Sequence, residues 1–227
     1  MRIRRLIRPR RRHARRTGER AVTTWGARLH VLTAIIALAV VLAACSEPEW
    51  RTSDIRGQFP ALQFRLTGES GSVITEDDMA GRIVLLFFGY TSCPDVCPGT
   101  LARLSRVMQR LTPAQREDTR VLFVSVDPRR DSPQRLARYT SAFGEGFIGL
   151  TAGTGRLREL AARYYTTFSY GEPDAEGNYP VSHNGSVFVF DRDGTARLRI
   201  TANDAGGVPS DSVEAITADL QRLLASG

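Results

Sequence analysis

The feature that most constrains the fold is the uninterrupted apolar run IVLLFFG at 83–89, which two cysteines follow within eight residues. A continuous apolar run of this length, bounded by Arg82 and a turn, is typical of a central strand that is buried on both faces. A helix is predicted at 98–111, because apolar residues recur there at helical spacing and a proline is tolerated in the first turn of a helix. The chain therefore places both cysteines between a buried strand and the start of a helix.

Further strands and helices alternate along the chain. Strands are predicted at 121–126, 147–150, 186–190 and 196–200, and helices at 133–143, 154–165 and 212–224. An N-terminal β-hairpin is predicted from alternating apolar residues at 62–66, a glycine-containing turn and a return strand at 73–74. This order implies an α/β fold with a central mixed sheet and helices on both faces, in which ligand sites lie at the carboxyl ends of strands.

The first 44 residues are interpreted as an export signal. An arginine-rich stretch precedes sixteen residues, 29–44, that are apolar except for His30 and Thr33. This run suits a signal peptide and is shorter than the ~20 residues that a transmembrane helix needs. It ends in Leu-Ala-Ala before Cys45, which resembles the lipobox of bacterial lipoproteins. We therefore expect cleavage before Cys45, lipidation of that cysteine and a domain on the outer face of the plasma membrane. An uncleaved signal anchor is the alternative, with the same topology.

The exported part is expected to comprise a tether and one domain. Segment 45–58 is polar, contains Pro48 and lacks apolar periodicity, as a tether does, and 59–227 is long enough for one domain of ordinary size. The formal net charge of +7 does not indicate nucleic-acid binding. Eleven of the 31 basic residues and one of the 24 acidic residues lie in 1–44, which leaves 20 basic residues against 23 acidic ones.

Cys93 and Cys97 both lie in the motif TSCPDVCP at 91–98. Each precedes a proline, which disfavours the α-helical conformation, so the pair is expected on a constrained turn and not on a regular helix. The nearby helix N-terminus stabilises a thiolate over a thiol, which favours nucleophilic attack and metal binding alike. The layout is that of thioredoxin-like redox proteins, although three residues and not two separate the cysteines. A reversible disulfide between Cys93 and Cys97 is one chemistry open to this pair.

A third candidate ligand is His183. The other histidines, His13 and His30, lie in the signal, so His183 is the single histidine of the exported part, in YPVSHNG at 179–185. Two thiolates and one imidazole form a soft ligand set that favours copper or zinc over hard cations. A lone histidine is more often a surface or structural residue, and the metal role of this one depends on its lying near the cysteine motif.

The segment DPRRDSP at 127–133 follows another predicted strand. Asp131 or Ser132 before Pro133 suits a helix N-cap. Asp127 suits an electrostatic role next to a metal site, and capping and this role are weighed equally. None of these residues is counted as a ligand.

Several separated motifs resemble the Sco/SenC family. They are FFGYTSCPDVCPGTL at 87–101, LFVSVDPRRDSPQRLARY at 122–139, FIGLT at 147–151, and Ser182-His183 followed by VFVFDRDG. The resemblance extends over roughly residues 60 to 225. It implies a thioredoxin-like fold and a copper site whose ligands are the two motif cysteines and a distal histidine, which are Cys93, Cys97 and His183 in this sequence.

The resemblance also implies a function. Proteins of this family are copper metallochaperones that assist assembly of the CuA centre of cytochrome c oxidase. We therefore expect a protein, not primarily an enzyme, that receives Cu(I) or Cu(II) from an upstream copper donor and passes it to the copper-binding subunit of the oxidase. A membrane-tethered thiol-disulfide reductase that acts on that subunit's cysteines is the main alternative. A peroxidase is a third possibility, because peroxiredoxins share the fold, and the proline after the second cysteine argues against it.

Overall fold

An eight-stranded mixed sheet organises the fold, in a computed structural model that describes residues 49–183, 185–201 and 211–226 together with His30. The strand order across the sheet is β1-β10-β9-β4-β5-β6-β2-β3, and β7 and β8 form a separate two-stranded sheet. The strands are β1 (Ser53–Asp54), β2 (Arg65–Gly68), β3 (Val73–Thr75), β4 (Ile83–Gly89), β5 (Thr119–Ser125), β6 (Phe147–Thr151), β7 (Phe168–Tyr170), β8 (Val181–His183), β9 (Ser186–Phe190) and β10 (Ala196–Thr201).

The helices cover the middle of the sheet. They are α1 (Val96–Arg110), α2 (Pro113–Glu117), α3 (Pro133–Ser141), α4 (Thr154–Arg163) and α5 (Val213–Ala225), and a 3₁₀ turn spans Glu76–Met79. All seven residues of β4 are buried. Because successive side chains of a strand point to opposite faces, both faces of the sheet are covered at this strand. Helices α1 and α5 pack on each other, α5 also contacts β4, and α3 packs on β6.

The predicted fold class and order of elements are confirmed. Strand β4 pairs in parallel with β5 and antiparallel with β9, so the central sheet is mixed. The predicted N-terminal hairpin is β2–β3, whose turn contains Gly71 at a φ of +82°. Its first strand is Arg65–Gly68 and not 62–66 as predicted. Among the described residues, five short elements were not predicted: β1, the 3₁₀ turn, α2, β7 and β8. The β7–β8 hairpin lies in the polar stretch that ends at His183, which has too few apolar residues for a strand pattern to be recognised.

The folded unit begins earlier than the sequence suggested, at Trp50. Strand β1 pairs with β10, and the buried Asp219 carboxylate accepts hydrogen bonds from the backbone N–H groups of Arg51 and Thr52, at 3.0 and 2.8 Å. The Arg222 guanidinium stacks on the Trp50 ring at 3.9 Å. Much of the segment assigned to the tether therefore belongs to the domain. Polar contacts hold it there, and such contacts leave no apolar periodicity in the sequence.

The predicted export signal at 1–44, apart from His30, and the predicted lipidation site Cys45 lie outside the described residues. Within the part of the chain that the structure describes, no helix has both the length and the apolar character needed to cross a bilayer.

Candidate metal centre

The cysteine motif lies where β4 ends and α1 begins. Cys93 lies in the connecting turn, and its N–H donates to the carbonyl of Tyr90 at 3.2 Å. Cys97 lies in the first turn of α1, which begins at Val96 and not at Pro98 as predicted. The expectation that neither cysteine is helical is therefore wrong for Cys97. Pro98 is tolerated as the third helical residue because the first turn of a helix has no internal partners for its N–H groups.

The histidine comes from the β7–β8 hairpin, far from the cysteines along the chain. His183 is the last residue of β8 and pairs with Phe168 of β7. Its ring lies edge-on to the rings of Phe87 and Tyr90, with centroids 6.1 and 5.8 Å away. These two buried aromatic residues lie at the end of β4, so the hairpin is packed against the strand that leads into the cysteine motif.

The structure brings the three predicted ligands together. The two Sγ atoms of Cys93 and Cys97 and a ring nitrogen of His183 all lie within 4.8 Å of one another. Cys97 Sγ lies 3.3 Å from His183 Nε2, and neither cysteine forms a disulfide. Sulfur and nitrogen ligands lie ~2.0–2.3 Å from a first-row metal such as zinc, so three of them around one ion are about 3.5–4 Å apart. The donor set therefore fits a single soft metal ion.

The two thiols have different environments. Cys97 is fully buried and Cys93 is partly exposed. A hydrogen bond from the Cys97 thiol lowers the pKa of Cys93 to about 4, with smaller contributions from the N–H groups of Cys97 and Asp95 and from His183. The same hydrogen bond, together with burial, raises the pKa of Cys97 far above its usual range. The solvent-facing Cys93 is therefore the more readily ionised of the two cysteines.

The capping residue of α3 is Ser132, whose hydroxyl accepts from the N–H of Arg135 at 3.3 Å. Asp131 does not cap this helix. Its buried carboxylate reaches back to the cysteine turn and accepts from the N–H of Thr91 at 2.8 Å. Of the two predicted N-cap candidates, Ser132 is confirmed and Asp131 is wrong.

Several residues around the site were missed from sequence. Tyr90, Thr91 and Tyr179 all lie within or beside the motifs that carry the ligands, so proximity in sequence was the available signal. The hydrogen bond from Tyr179 to Asp127 joins residues 52 positions apart, and no local pattern in the sequence predicts such a contact.

The cysteine pair lies at the start of a helix on a mixed sheet, and a hairpin distant in sequence brings a histidine to it. These features define a thioredoxin-like protein with a candidate metal site. The family model described as SCO1/SenC matches residues 54–224. This match covers most of the chain, and the protein belongs to the SCO1/SenC family.

Relatives and solved structures agree with this assignment. The chain is 33% identical to the mitochondrial SCO2 homolog of Bos taurus over 132 residues, which are 58% of this chain and 50% of the bovine protein, so the match spans half the length of that relative. The solution structure of apo Sco1 from Thermus thermophilus is 34% identical, with a TM-score of 0.66 over 77% of this chain and 97% of that one. Copper-bound ScoI from Bradyrhizobium japonicum is 30% identical, with a TM-score of 0.62 over 72% and 98%.

Proposed function

We propose that this protein binds one copper ion through Cys93, Cys97 and His183. The observation that carries the proposal is the convergence of two sulfur atoms and one ring nitrogen within 4.8 Å of one another. Thiolate and imidazole ligands together favour copper or zinc. Membership of the SCO1/SenC family, and the copper-bound structure of the related Bradyrhizobium japonicum protein, favour copper over zinc.

The bound copper is cargo, delivered during respiratory-chain assembly to the CuA site in the copper-binding subunit of cytochrome c oxidase. The protein receives the copper from an upstream donor and acts from the outer face of the plasma membrane, anchored through lipidated Cys45. Family membership and the signal-like N-terminus support this role. The role as a carrier and not as an enzyme fits a site that offers three side-chain ligands and leaves room for an incoming one.

Solvent access to the site supports transfer by ligand exchange. A cleft of about 250 Å³ is lined by Tyr90, Cys93 and His183 among other residues. Cys97 is fully buried beneath it. A partner's ligands therefore meet Cys93 and His183 first, and Cys97 is the last ligand to be displaced. Negative charge on the Cys93 thiolate holds the cation until the partner's own thiolates replace it.

Copper titration of the full chain, purified in detergent, tests this proposal. We expect one copper per chain with a thiolate-to-copper charge-transfer band, no stoichiometric binding in Cys93→Ser/Cys97→Ser, and weaker binding with an altered electron paramagnetic resonance spectrum in His183→Ala. Ser141→Ala is the control, because Ser141 is exposed on α3 and does not line the cleft. Wild-type protein that binds no copper, or His183→Ala that binds it unchanged, would refute the three-ligand site.

A second candidate function is reduction of the oxidase subunit's disulfide before copper is inserted. The contrast between a partly exposed Cys93 and a buried Cys97 favours it, since dithiol reductases attack with the accessible sulfur. The Cys93 thiolate attacks one partner sulfur and releases the other as a thiolate. Cys97 then loses its proton and attacks Cys93 Sγ, which releases the second partner thiolate. The partner gains two electrons, and Cys93 and Cys97 become a disulfide.

His183→Ala separates the two functions in cells. Loss of oxidase assembly, with reduction of a model disulfide by the purified variant unchanged, supports copper delivery. Normal oxidase assembly in the same variant supports the reductase function.

A further inference from the structure

The loop Asp127–Asp131, between β5 and α3, contacts both halves of the candidate metal centre. One half is the cysteine turn, which follows β4, and the other is the β7–β8 hairpin, which ends in His183. The loop carries two carboxylates, and both Asp127 and Asp131 are almost fully inaccessible to solvent, with exposed fractions of 0 and 1%. A buried carboxylate is costly unless it is hydrogen-bonded, so the partners of these two groups matter.

Asp127 binds the histidine hairpin. One of its carboxylate oxygens accepts a hydrogen bond from the Tyr179 hydroxyl at 2.7 Å, and the other forms an ion pair with Nε of Arg130. The Arg130 guanidinium lies 3.9 Å from the centre of the Tyr179 ring and 5.6 Å from that of Tyr90. The arginine is therefore placed between one ring that belongs to the hairpin and one ring that packs on His183.

A second hydrogen bond ties strand β7 of the hairpin to Val126, the residue that precedes the loop. The Tyr170 hydroxyl donates to the carbonyl of Val126 at 2.6 Å. Tyr170 pairs with Val181 across the hairpin, so both strands are anchored next to the end of β5. The hairpin has only three residues in each strand, and isolated two-stranded sheets are marginally stable in water. Its order therefore depends on these anchors.

Asp131 binds the cysteine turn. Its carboxylate accepts from the N–H of Thr91 at 2.8 Å, from the Thr91 hydroxyl at 2.5 Å and from the Ser125 hydroxyl at 2.6 Å. Arg135 donates to the Thr91 hydroxyl at 2.6 Å and to the Ser92 hydroxyl at 3.0 Å. These bonds fix the backbone immediately before Cys93.

We propose that the loop Asp127–Asp131 positions His183 against the two cysteines, with Asp131 holding the cysteine turn and Asp127 holding the histidine hairpin through Tyr179. This inference rests on the proposed copper site. Tyr179 and Thr91 are positioning residues in it, because neither is a ligand. Their hydrogen bonds order the site before the metal binds. The free energy of metal binding is then not reduced by the cost of ordering the ligands.

Tyr179→Phe removes the hydroxyl that Asp127 accepts from and leaves the ring in place. A net hydrogen bond of the usual strength corresponds to a loss of copper affinity of about three- to tenfold. Because Tyr179 acts only by positioning His183, its substitution cannot lower the copper affinity below that of His183→Ala. The decisive comparison is therefore a double-mutant cycle: Tyr179→Phe should weaken copper binding in the wild-type background and have no effect in the His183→Ala background. Tyr165→Phe, the same change at an exposed tyrosine, should have no effect in either.

Amide hydrogen exchange of the metal-free full chain gives a readout that does not depend on copper. Tyr179→Phe should increase exchange in 168–183 and leave 91–97 unchanged. Thr91→Val should do the reverse, because it loosens the cysteine turn alone. Equal weakening of copper binding by Tyr179→Phe in both backgrounds, or unchanged exchange in the hairpin, would overturn the inference. If the wild type binds no copper but the two exchange patterns appear, the copper proposal fails and the positioning role stands.

Discussion

Gly89 is the last residue of β4, and replacing it by alanine tests how closely the strand approaches the site. A Cβ atom at this position would lie 2.6 Å from Cε2 of Phe123 and 2.8 Å from Sγ of Cys97. Non-bonded carbon atoms prefer a separation of about 3.5–4.0 Å, so the methyl group must displace its neighbours by roughly 1 Å. Both neighbours are fully buried, which leaves them no solvent-filled space to enter.

The expected cost follows from overpacking of a well-packed core. Gly89→Ala should lower the free energy of unfolding by about 1–3 kcal/mol. For a domain of this size each kcal/mol lowers Tm by about 2–4 °C. The displacement also falls on Cys97 Sγ, which lies 3.3 Å from His183 Nε2, so copper affinity should fall along with stability.

Thermal unfolding of the full chain, followed by circular dichroism, measures the first effect, and copper titration measures the second. Gly155→Ala is the matched control, because a Cβ there meets no atom within 4 Å. Since Gly155 lies in α4, this control should be neutral or stabilising by up to about 1 kcal/mol. A Gly89→Ala protein with the Tm and the copper affinity of the wild type would refute the close approach of strand, ring and thiol.

Two further predictions concern the Cys93 thiolate and the start of the domain. With a pKa of about 4, Cys93 is ionised at neutral pH and protonated only below that value, so its alkylation rate should stay nearly constant between about pH 5 and pH 8. The alkylation rate of an ordinary thiol, with a pKa of ~8.5, would rise about tenfold per pH unit in this range. Asp219→Asn should lower the free energy of unfolding by about 1–3 kcal/mol, measured in urea, and speed proteolysis near Arg51. The same change at the exposed Asp193, Asp193→Asn, should do neither.

Much of the fold follows from the sequence because the central strands are apolar along their whole length. The apolar run at 83–89 is stable only as a central strand of a sheet that is covered on both faces, and β4 has the predicted bounds. The cysteine pair could be located for the same reason, since it follows directly from that strand. Elements held by polar contacts were harder to predict. Strand β1 is fixed by Asp219, from the opposite end of the domain, and left no pattern in the sequence.

The position of the histidine illustrates what sequence patterns lack. Only Phe168 and Val181 are well buried in the β7–β8 hairpin, so no apolar alternation marks its strands. The sequence indicates His183 only because it is the single histidine after the predicted signal and because the family resemblance implies it. Its approach to Cys97 depends on hairpin packing against Tyr90 and on the bond from Tyr179 to Asp127, and those contacts exist only in three dimensions.

The separation of 86 residues between Cys97 and His183 makes the complete donor set a property of the native state alone. An unfolded chain retains the two cysteines as near neighbours but has no imidazole beside them. An ion that prefers three ligands to two binds the native state more tightly, and by linkage its binding free energy adds to folding stability. Binding of the ion with full affinity therefore requires the native tertiary structure, and the bound ion in turn stabilises that structure.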